Sequence, residues 1–234
     1  MIIHVLGAID PTTHYGLEVD HAIKINSVAD RVPWAMVACR SVLGLGPLSP
    51  VAETAGHGCR RVVARSGRLV EDDSGRSGSW GSWSPRGKAA FESEVDRLAP
   101  ILSGLGIEMA LWPNVGEALS DVPSCLSFLR RYESGPYKLL IEPAALLAES
   151  MVPRAGEHME RILDSLAEHP GVAAMLVSNV EFSGGSPACV SLVGGLIRRG
   201  LIDLMVSRAS ATARPLVVRD RDDLTTIAGF SRRS

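Results

Sequence analysis

The sequence predicts an α/β protein, and within that class a compact (β/α)8 TIM barrel. Short, near-continuous apolar runs alternate along the chain with helical patterns, which is typical of parallel strands buried on both faces. Roughly eight such runs fit into the 234 residues, a length slightly below the typical ~250 of such a barrel. We therefore expect a single domain over residues 1–234, with an open doubly wound sheet as the structural alternative.

The predicted strands are apolar runs bounded by polar or turn-forming residues. They occupy residues 2–9, 34–43, 60–66, 107–114, 138–144, 172–180, 202–206 and 215–220. The sequence leaves open whether the second of these barrel strands is present.

The predicted helices lie between these strands. They occupy residues 17–32, 86–106, 156–171 and 190–200. The second helix has the clearest pattern, since apolar residues recur at helix spacing from Phe91 to Leu105. Ser84 supplies its N-cap and Pro85 its first helical position, and we expect Pro100 to bend or split it.

A long irregular segment, residues 71–87, interrupts this alternation. It is rich in Gly and Ser and carries Trp80 and Trp83. Because it follows the carboxyl end of a predicted strand, it would form a lid over the active face of a barrel. The alternative is a surface loop without a binding role. Tryptophans in a polar loop favour binding, since exposed Trp is costly unless it meets a ligand.

The composition excludes several classes of function. The net charge is −2 with no basic run, which argues against a nucleic-acid partner. No apolar run approaches the ~18 residues of a membrane span, and the start lacks signal-peptide features. The 4 cysteines lie far apart without zinc spacing, which indicates reduced thiols and a cytoplasmic protein. No nucleotide-binding glycine motif is present, so a nucleotide-binding version of the fold has no support. We expect no cofactor.

From Arg60 to Asp220 the strand ends resemble a known family. The motifs that carry the resemblance are VVARSG, then SGLG followed by IEMALWPN, then LLIEPAAL, AMLVSNV and PLVVRD. They resemble the strand ends VVVHPG, ALEN, LDPGHL and VHLSD of the xylose isomerase-like barrels, the sugar phosphate isomerase/epimerase superfamily that includes endonuclease IV. The resemblance implies a TIM barrel whose carboxyl-terminal face acts on a small carbohydrate-like metabolite.

The resemblance also implies where the family's divalent metal would be held, and most of those positions carry other residues here. The family's carboxylates and imidazoles are replaced, position by position, by Arg65, Trp112, Glu142, Ala145, Leu176 and Arg219. Only Glu142 could still ligate, and one carboxylate between Arg65 and Arg219 would not hold a divalent cation. We therefore expect no metal.

The same face would carry a polar mouth, which also includes Arg208 and Glu181. Candidate substrate-binding residues are Arg65, Trp112, Asn114, Asn179, Arg219, Trp80 and Trp83, and candidate acid/base residues are Glu142 and His14. Arginine forks suit carboxylate or phosphate oxygens, while Glu142 or His14 could move protons.

Each candidate also has a structural interpretation. Glu142 could simply orient an arginine, and Arg65 and Arg219 could belong to buried ion pairs. Trp112 could fill the space of the absent metal site, or stack against a sugar ring. His14 could be solvated.

Two functions follow from this reading. The first is a metal-independent isomerase, epimerase or lyase that acts on a small anionic or carbohydrate-like metabolite. The second is a non-catalytic binding or complex-forming protein that kept the fold and lost the chemistry, with a homo-oligomer or a complex partner as an open possibility.

Overall fold

The computed structural model describes part of the chain. The described residues are 2–5, 17–18, 22–24, 34–42, 60–68, 82, 84–183, 186–212, 214–218, 223 and 226–227. The chain divides into two compact units. The terminal unit comprises Met1–Ile9, Glu18–Arg31 and Leu140–Ser234, and the central unit comprises Asp10–Leu17 and Val32–Leu139.

Strands and helices alternate over most of the described chain. The strands are β1 (Ile2–Val5), β2 (Leu17–Glu18), β3 (Ala22–Lys24), β4 (Trp34–Ser41), β5 (Arg61–Arg65), β6 (Glu108–Trp112), β7 (Tyr137–Ile141), β8 (Val172–Val177), β9 (Asn179–Ser183), β10 (Ser186–Val190) and β11 (Leu216–Val218). The helices are α1 (Pro85–Leu105), α2 (Val122–Arg131), α3 (Ala155–Leu166) and α4 (Arg199–Ala211), with 3-10 turns at Pro143–Leu146 and Glu149–Arg154.

The central unit is built on a parallel sheet. β4 pairs with β5, β5 with β6, and β6 with β7, each pair in parallel. Helix α1 connects β5 to β6, and α2 connects β6 to β7. The middle residues of β5 and β6 are buried, as expected for strands covered on both faces.

Helix α1 begins and ends as its sequence predicts. The Ser84 hydroxyl accepts a hydrogen bond from the Gly87 amide at 3.0 Å, Pro85 follows it, and Gly106 ends the helix with φ 64°. The helix runs without a break through Pro100, so the expected split does not occur. An apolar stripe from Phe91 to Leu102 is buried and holds the helix in place.

The terminal unit contains a second group of paired strands. β8 pairs with β11 in parallel and β11 with β1 in parallel, while β3 is antiparallel to β1. β9 and β10 form a separate antiparallel hairpin. Helix α3 precedes β8, and helix α4 lies between the hairpin and β11.

Three element predictions are wrong. The predicted strand at 202–206 lies inside helix α4, whose buried residues Ile202, Met205, Val206 and Ala209 recur at helix spacing, and so short an apolar run does not separate strand from helix. The predicted helix at 190–200 is a loop over 191–198 between β10 and α4. Within the predicted helix 17–32, the described residues form β2 and β3.

Most of the other predicted elements are present with shifted ends. The predicted strand 172–180 breaks at Ser178 into β8 and β9. Helix 86–106 is observed as Pro85–Leu105 and helix 156–171 as Ala155–Leu166. Most of the predicted lid, residues 71–81 and 83, lies outside the described residues, and its last part forms the cap and first turn of α1.

Candidate functional site

Arg65 and Trp112 meet at the carboxyl end of the central sheet. They are the last residues of β5 and β6 and are register partners in that parallel pair. The guanidinium carbon of Arg65 lies 4.4 Å from the centroid of the Trp112 ring, which is a cation–π contact. Trp112 itself is 6% exposed. The structure therefore brings two of the predicted binding residues together.

Glu117, which is not among the residues predicted from the sequence, anchors this pair. Its carboxylate accepts hydrogen bonds from the Arg65 guanidinium at 3.2 Å, the Ser66 hydroxyl at 3.1 Å and the Gly67 amide at 3.1 Å. Its side chain is 10% exposed. The sequence feature that could have identified Glu117 is an acidic residue that follows a glycine in the loop after β6, at the same sheet edge as Arg65.

The loops that follow β5 and β6 are tied to each other. The Leu119 amide donates to the Ser66 hydroxyl at 3.1 Å, and the Ala118 amide donates to the Gly67 carbonyl at 2.9 Å. The Asn114 amide donates to the Leu119 carbonyl at 3.0 Å, and Asn114 is buried in this loop. These bonds fix the backbone around Arg65 before any ligand arrives.

Arg65 keeps hydrogen-bonding capacity after these contacts. Its side chain is 34% exposed, and among the described residues Glu117 is its hydrogen-bond partner. Arg68, at the same strand end, donates to the Val115 carbonyl at 3.3 Å and is exposed. Arg65 and Arg68 with Glu117 leave a net positive charge at this edge, which suits an oxyanion.

Glu142 lies in the terminal unit, directly after β7. It is fully buried. Its carbonyl accepts a hydrogen bond from the Ala145 amide at 3.0 Å and so begins the turn Pro143–Leu146. Ala145 and Leu176, which stand where the resemblance places imidazoles, are also fully buried. Both positions carry apolar side chains that cannot ligate.

Asn179 holds a loop in the terminal unit. Its amide nitrogen donates to the carbonyls of Ile197 at 3.0 Å and Leu192 at 3.4 Å, and its oxygen accepts from the amides of Ile197 at 2.7 Å and Val180 at 2.8 Å. Asp223 adds bonds from the Leu192 amide at 2.8 Å and the Ser191 hydroxyl at 2.7 Å. The polar atoms of Asn179 are thus engaged by backbone.

Several predicted mouth residues lie elsewhere. His14, Arg219, Trp80 and Trp83 lie outside the described residues. Arg208 was expected at the mouth, but it sits on α4 and pairs with Asp164 of α3 at 2.6 Å, because the strand predicted before it is a helix. Glu181 lies exposed on β9.

Four described residues at the positions where the resemblance places metal ligands are Arg65, Trp112, Ala145 and Leu176, whose side chains do not ligate divalent cations. Within the described parts of the chain, no group of three His, Cys, Asp or Glu side chains is placed to hold a metal ion. Arg65 brings a cation to one of these positions and stacks it on Trp112 at another, and a metal site needs several hard ligands converging on one point.

A membrane-spanning element is also absent from the described helices, since none of them is both long and apolar enough to cross a bilayer.

Solved structures share this fold at low sequence identity. The probable 3-DHS dehydratase AsbF of Bacillus anthracis, described as involved in petrobactin synthesis, superimposes with a TM-score of 0.54 at 10% identity, over 85% of this chain and 73% of that one. A xylose isomerase domain protein from Planctomyces limnophilus gives 0.54 at 14% identity, over 82% and 68%. Mannonate dehydratase from Streptococcus suis serotype 2 gives 0.50 at 12% identity, over 77% and 63%.

No protein-family model matches the sequence, and no curated protein matches it. At the identities given by the solved structures, the likeness establishes the fold and not the activity. The predicted TIM barrel is therefore confirmed as the fold class of this chain.

Proposed function

We propose that this xylose isomerase-like barrel binds a small carbohydrate-like metabolite that carries a carboxylate or phosphate, at the carboxyl ends of its strands and without a divalent metal. The observation that carries the proposal is the Arg65 guanidinium, stacked on Trp112 at 4.4 Å and anchored by Glu117 at 3.2 Å. The neighbours of this fold include a dehydratase of a sugar acid, mannonate, which supports a sugar-related ligand.

The contacts of Arg65 favour an anion over a neutral sugar. The guanidinium is already oriented by an aromatic face and a carboxylate, so little side-chain entropy is lost when it binds a ligand. Its remaining N–H groups form a planar fork that matches a carboxylate or phosphate. The sugar would then lie beside the guanidinium, with the buried Trp112 ring supporting Arg65 from below.

The proposed chemistry is a proton transfer typical of isomerases, epimerases and lyases. Glu142 is the proposed acid/base, with His14 as the second candidate, since a carboxylate or an imidazole can take a proton beside a carbonyl. Asn114, Asn179, Arg219, Trp80 and Trp83 stay proposed ligand contacts. A Glu142→Gln variant should lose turnover while it binds ligand as the wild type does, which a turnover assay and calorimetry together would measure.

Complete burial of Glu142 favours a second candidate, a binding protein without turnover. A base must reach its substrate within hydrogen-bond distance, and the Glu142 side chain has no exposed surface. In that case Glu142→Gln would leave ligand binding intact and there would be no turnover to lose.

The experiment compares matched charged and neutral sugars by calorimetry. Glucuronate and glucose 6-phosphate should bind more tightly than glucose. An Arg65→Gln change should weaken the charged sugars roughly tenfold or more, because a charge-assisted hydrogen bond contributes about 1.5–3 kcal/mol. Arg65→Lys keeps the charge but loses the planar fork of N–H groups. Its affinity for the charged sugars should lie between those of the wild type and Arg65→Gln.

Arg61→Gln is the matched control. Arg61 lies at the opposite end of the same strand, where it pairs with Glu108 at 2.7 Å, so its loss should leave sugar binding unchanged. Equal affinity for glucose and glucuronate in the wild type, or equal losses in the two arginine variants, would contradict the proposal.

A further inference from the structure

A cavity of about 390 Å³ lies between helices α1 and α2 of the central unit. Neither Arg65, Trp112 nor Glu117 lines it, so it is separate from the strand-end site. Its volume is within the range of small-molecule pockets, which is roughly 300–1,000 Å³. The proposed function does not use it, although Ala118 and Leu119 of the loop after β6 also line it.

Aromatic rings form the apolar wall of this cavity. Phe91 of α1 and Phe128 of α2 line it, with ring centroids 5.9 Å apart, and Tyr132 follows at 4.9 Å from Phe128. Phe91 and Phe128 are 4% and 5% exposed, so both rings are packed in the core. Such a wall suits a flat ring, since aromatic pairs favour offset or tilted contacts.

Most charged groups around the cavity already have partners. Arg131 pairs with Glu92 at 2.8 Å. The Asp121 carboxylate caps α2 by accepting from the Ser124 amide at 2.8 Å. Lys88 of α1 is different: it is exposed, and among the described residues its ammonium group has no ion-pair or hydrogen-bond partner.

Two hydroxyl groups add hydrogen-bonding capacity. Ser120 and Ser127 both line the cavity. Ser120 donates its backbone amide to Ser124, but neither hydroxyl has a partner among the described residues. The cavity thus combines a ring-binding wall, one available cation and two available hydroxyls.

We propose that this cavity binds a small aromatic carboxylate, with the ring against Phe91 and Phe128 and the carboxylate at Lys88. A cationic ligand fits less well, because the Glu92 carboxylate is already paired with Arg131 and Oδ1 of Asp121 already accepts from the Ser124 amide. The charge on Lys88 selects for an anion, and the aromatic wall selects for a ring.

Calorimetry and amide chemical-shift mapping with benzoate, benzamide and benzylammonium test this proposal. The three probes share a ring and differ in charge. Benzoate should bind in the millimolar range and roughly fivefold more tightly than benzamide, the strength of one exposed ion pair, and benzylammonium should bind most weakly. Benzoate should shift the amides around Lys88 and Phe128.

Two variants and a control locate the site. Lys88→Gln should reduce benzoate binding to the level of benzamide, while Arg86→Gln, which removes the same charge from the same helix outside the cavity, should change nothing. Ser127→Trp should block all three probes. The proposal would be overturned if benzoate did not bind, or if it bound no more tightly than benzamide or benzylammonium. Equal binding of benzoate to the wild type and to Lys88→Gln would also overturn it. Arg65→Gln should not affect benzoate.

Discussion

A single glycine in the terminal unit shows how tightly the loop over 191–198 is built around Asn179. Gly195 has φ 87°, and a Cβ added there would lie 2.6 Å from the Asn179 side-chain oxygen and 2.7 Å from the Val180 carbonyl. Any side chain would therefore strain the backbone and displace the buried amide that holds the loop. Asn179 can hold the loop only because Gly195 has no side chain to displace it.

Gly195→Ala should destabilise the protein by about 2 kcal/mol or more, because it combines an unfavourable positive φ with lost buried hydrogen bonds. Gly200→Ala is the matched control, since Gly200 lies in α4 with open space around its Cα, and it should be neutral or stabilising by up to about 1 kcal/mol. Urea unfolding measures both. Equal effects of the two changes would show that the loop is not packed as described.

The tyrosines of the central unit give a pH dependence. Burial, followed by the nearby Asp96, raises the pKa of Tyr132 to about 12 from its ordinary value of 10. Burial also raises the pKa of Tyr137, whose hydroxyl donates to the Val95 carbonyl at 2.5 Å. The folded state thus favours the protonated phenols more than the unfolded state does.

The contribution of these tyrosines to the free energy of unfolding should be fully retained below pH 10. It should fall as the pH rises from 10 towards 12, since the phenols ionise first in the unfolded state. Denaturant titrations at several alkaline pH values measure this fall, and Tyr132→Phe should make it shallower. A Tyr132→Phe protein with the same alkaline slope as the wild type would exclude this source of the pH dependence.

At the scale of elements, helix α1 was predictable because local signals agreed. Ser84, Pro85 and Gly106 mark its ends, and a continuous stripe of apolar residues covers one face. Ser84→Ala should cost about 1 kcal/mol of unfolding free energy, the usual value of a lost N-cap. Ser93→Ala, at an exposed position within the same helix, should be neutral or slightly stabilising, since alanine is the better helix former.

Helix α4 and the preceding loop were not predictable from the same signals. The run IDLMV is equally apolar as a strand or as one side of a helix, and its partners on α3 and β11 decide between them. The loop over 191–198 has an apolar sequence that resembles a helix. Hydrogen bonds from Asn179 on β9 hold its backbone, and Gly195 within the loop takes a positive φ. Such long-range hydrogen bonds leave no local pattern.

The candidate site was predictable in part, for a related reason. Arg65 and Trp112 could be found because parallel strands place their carboxyl ends at one edge, so strand ends alone predict neighbours. The sequence does not distinguish Glu117 from other loop carboxylates, since its role depends on three hydrogen-bond donors that the folded loops bring to it. The sequence therefore predicts which edge of the sheet carries the site, whereas only the folded loops identify Glu117 as the residue that anchors Arg65.

For the molecule as a whole, solved structures with a TIM-barrel fold superimpose on most of the chain at 10–14% identity. A single domain over residues 1–234 stays a prediction. The proposed function depends on Arg65 binding the ligand at the strand ends, where the resemblance places a metal. Arg65 on Trp112, with Glu117 behind it, is the physical basis for that claim.

The most direct test is calorimetry of glucuronate binding to EDTA-treated protein, before and after the addition of Mn²⁺, with metal analysis of the untreated protein. We expect the same dissociation constant in both states, a metal content well below one per chain, and a loss of binding in Arg65→Gln. Binding that appears only after Mn²⁺ is added, and that disappears in Glu142→Gln, would contradict it.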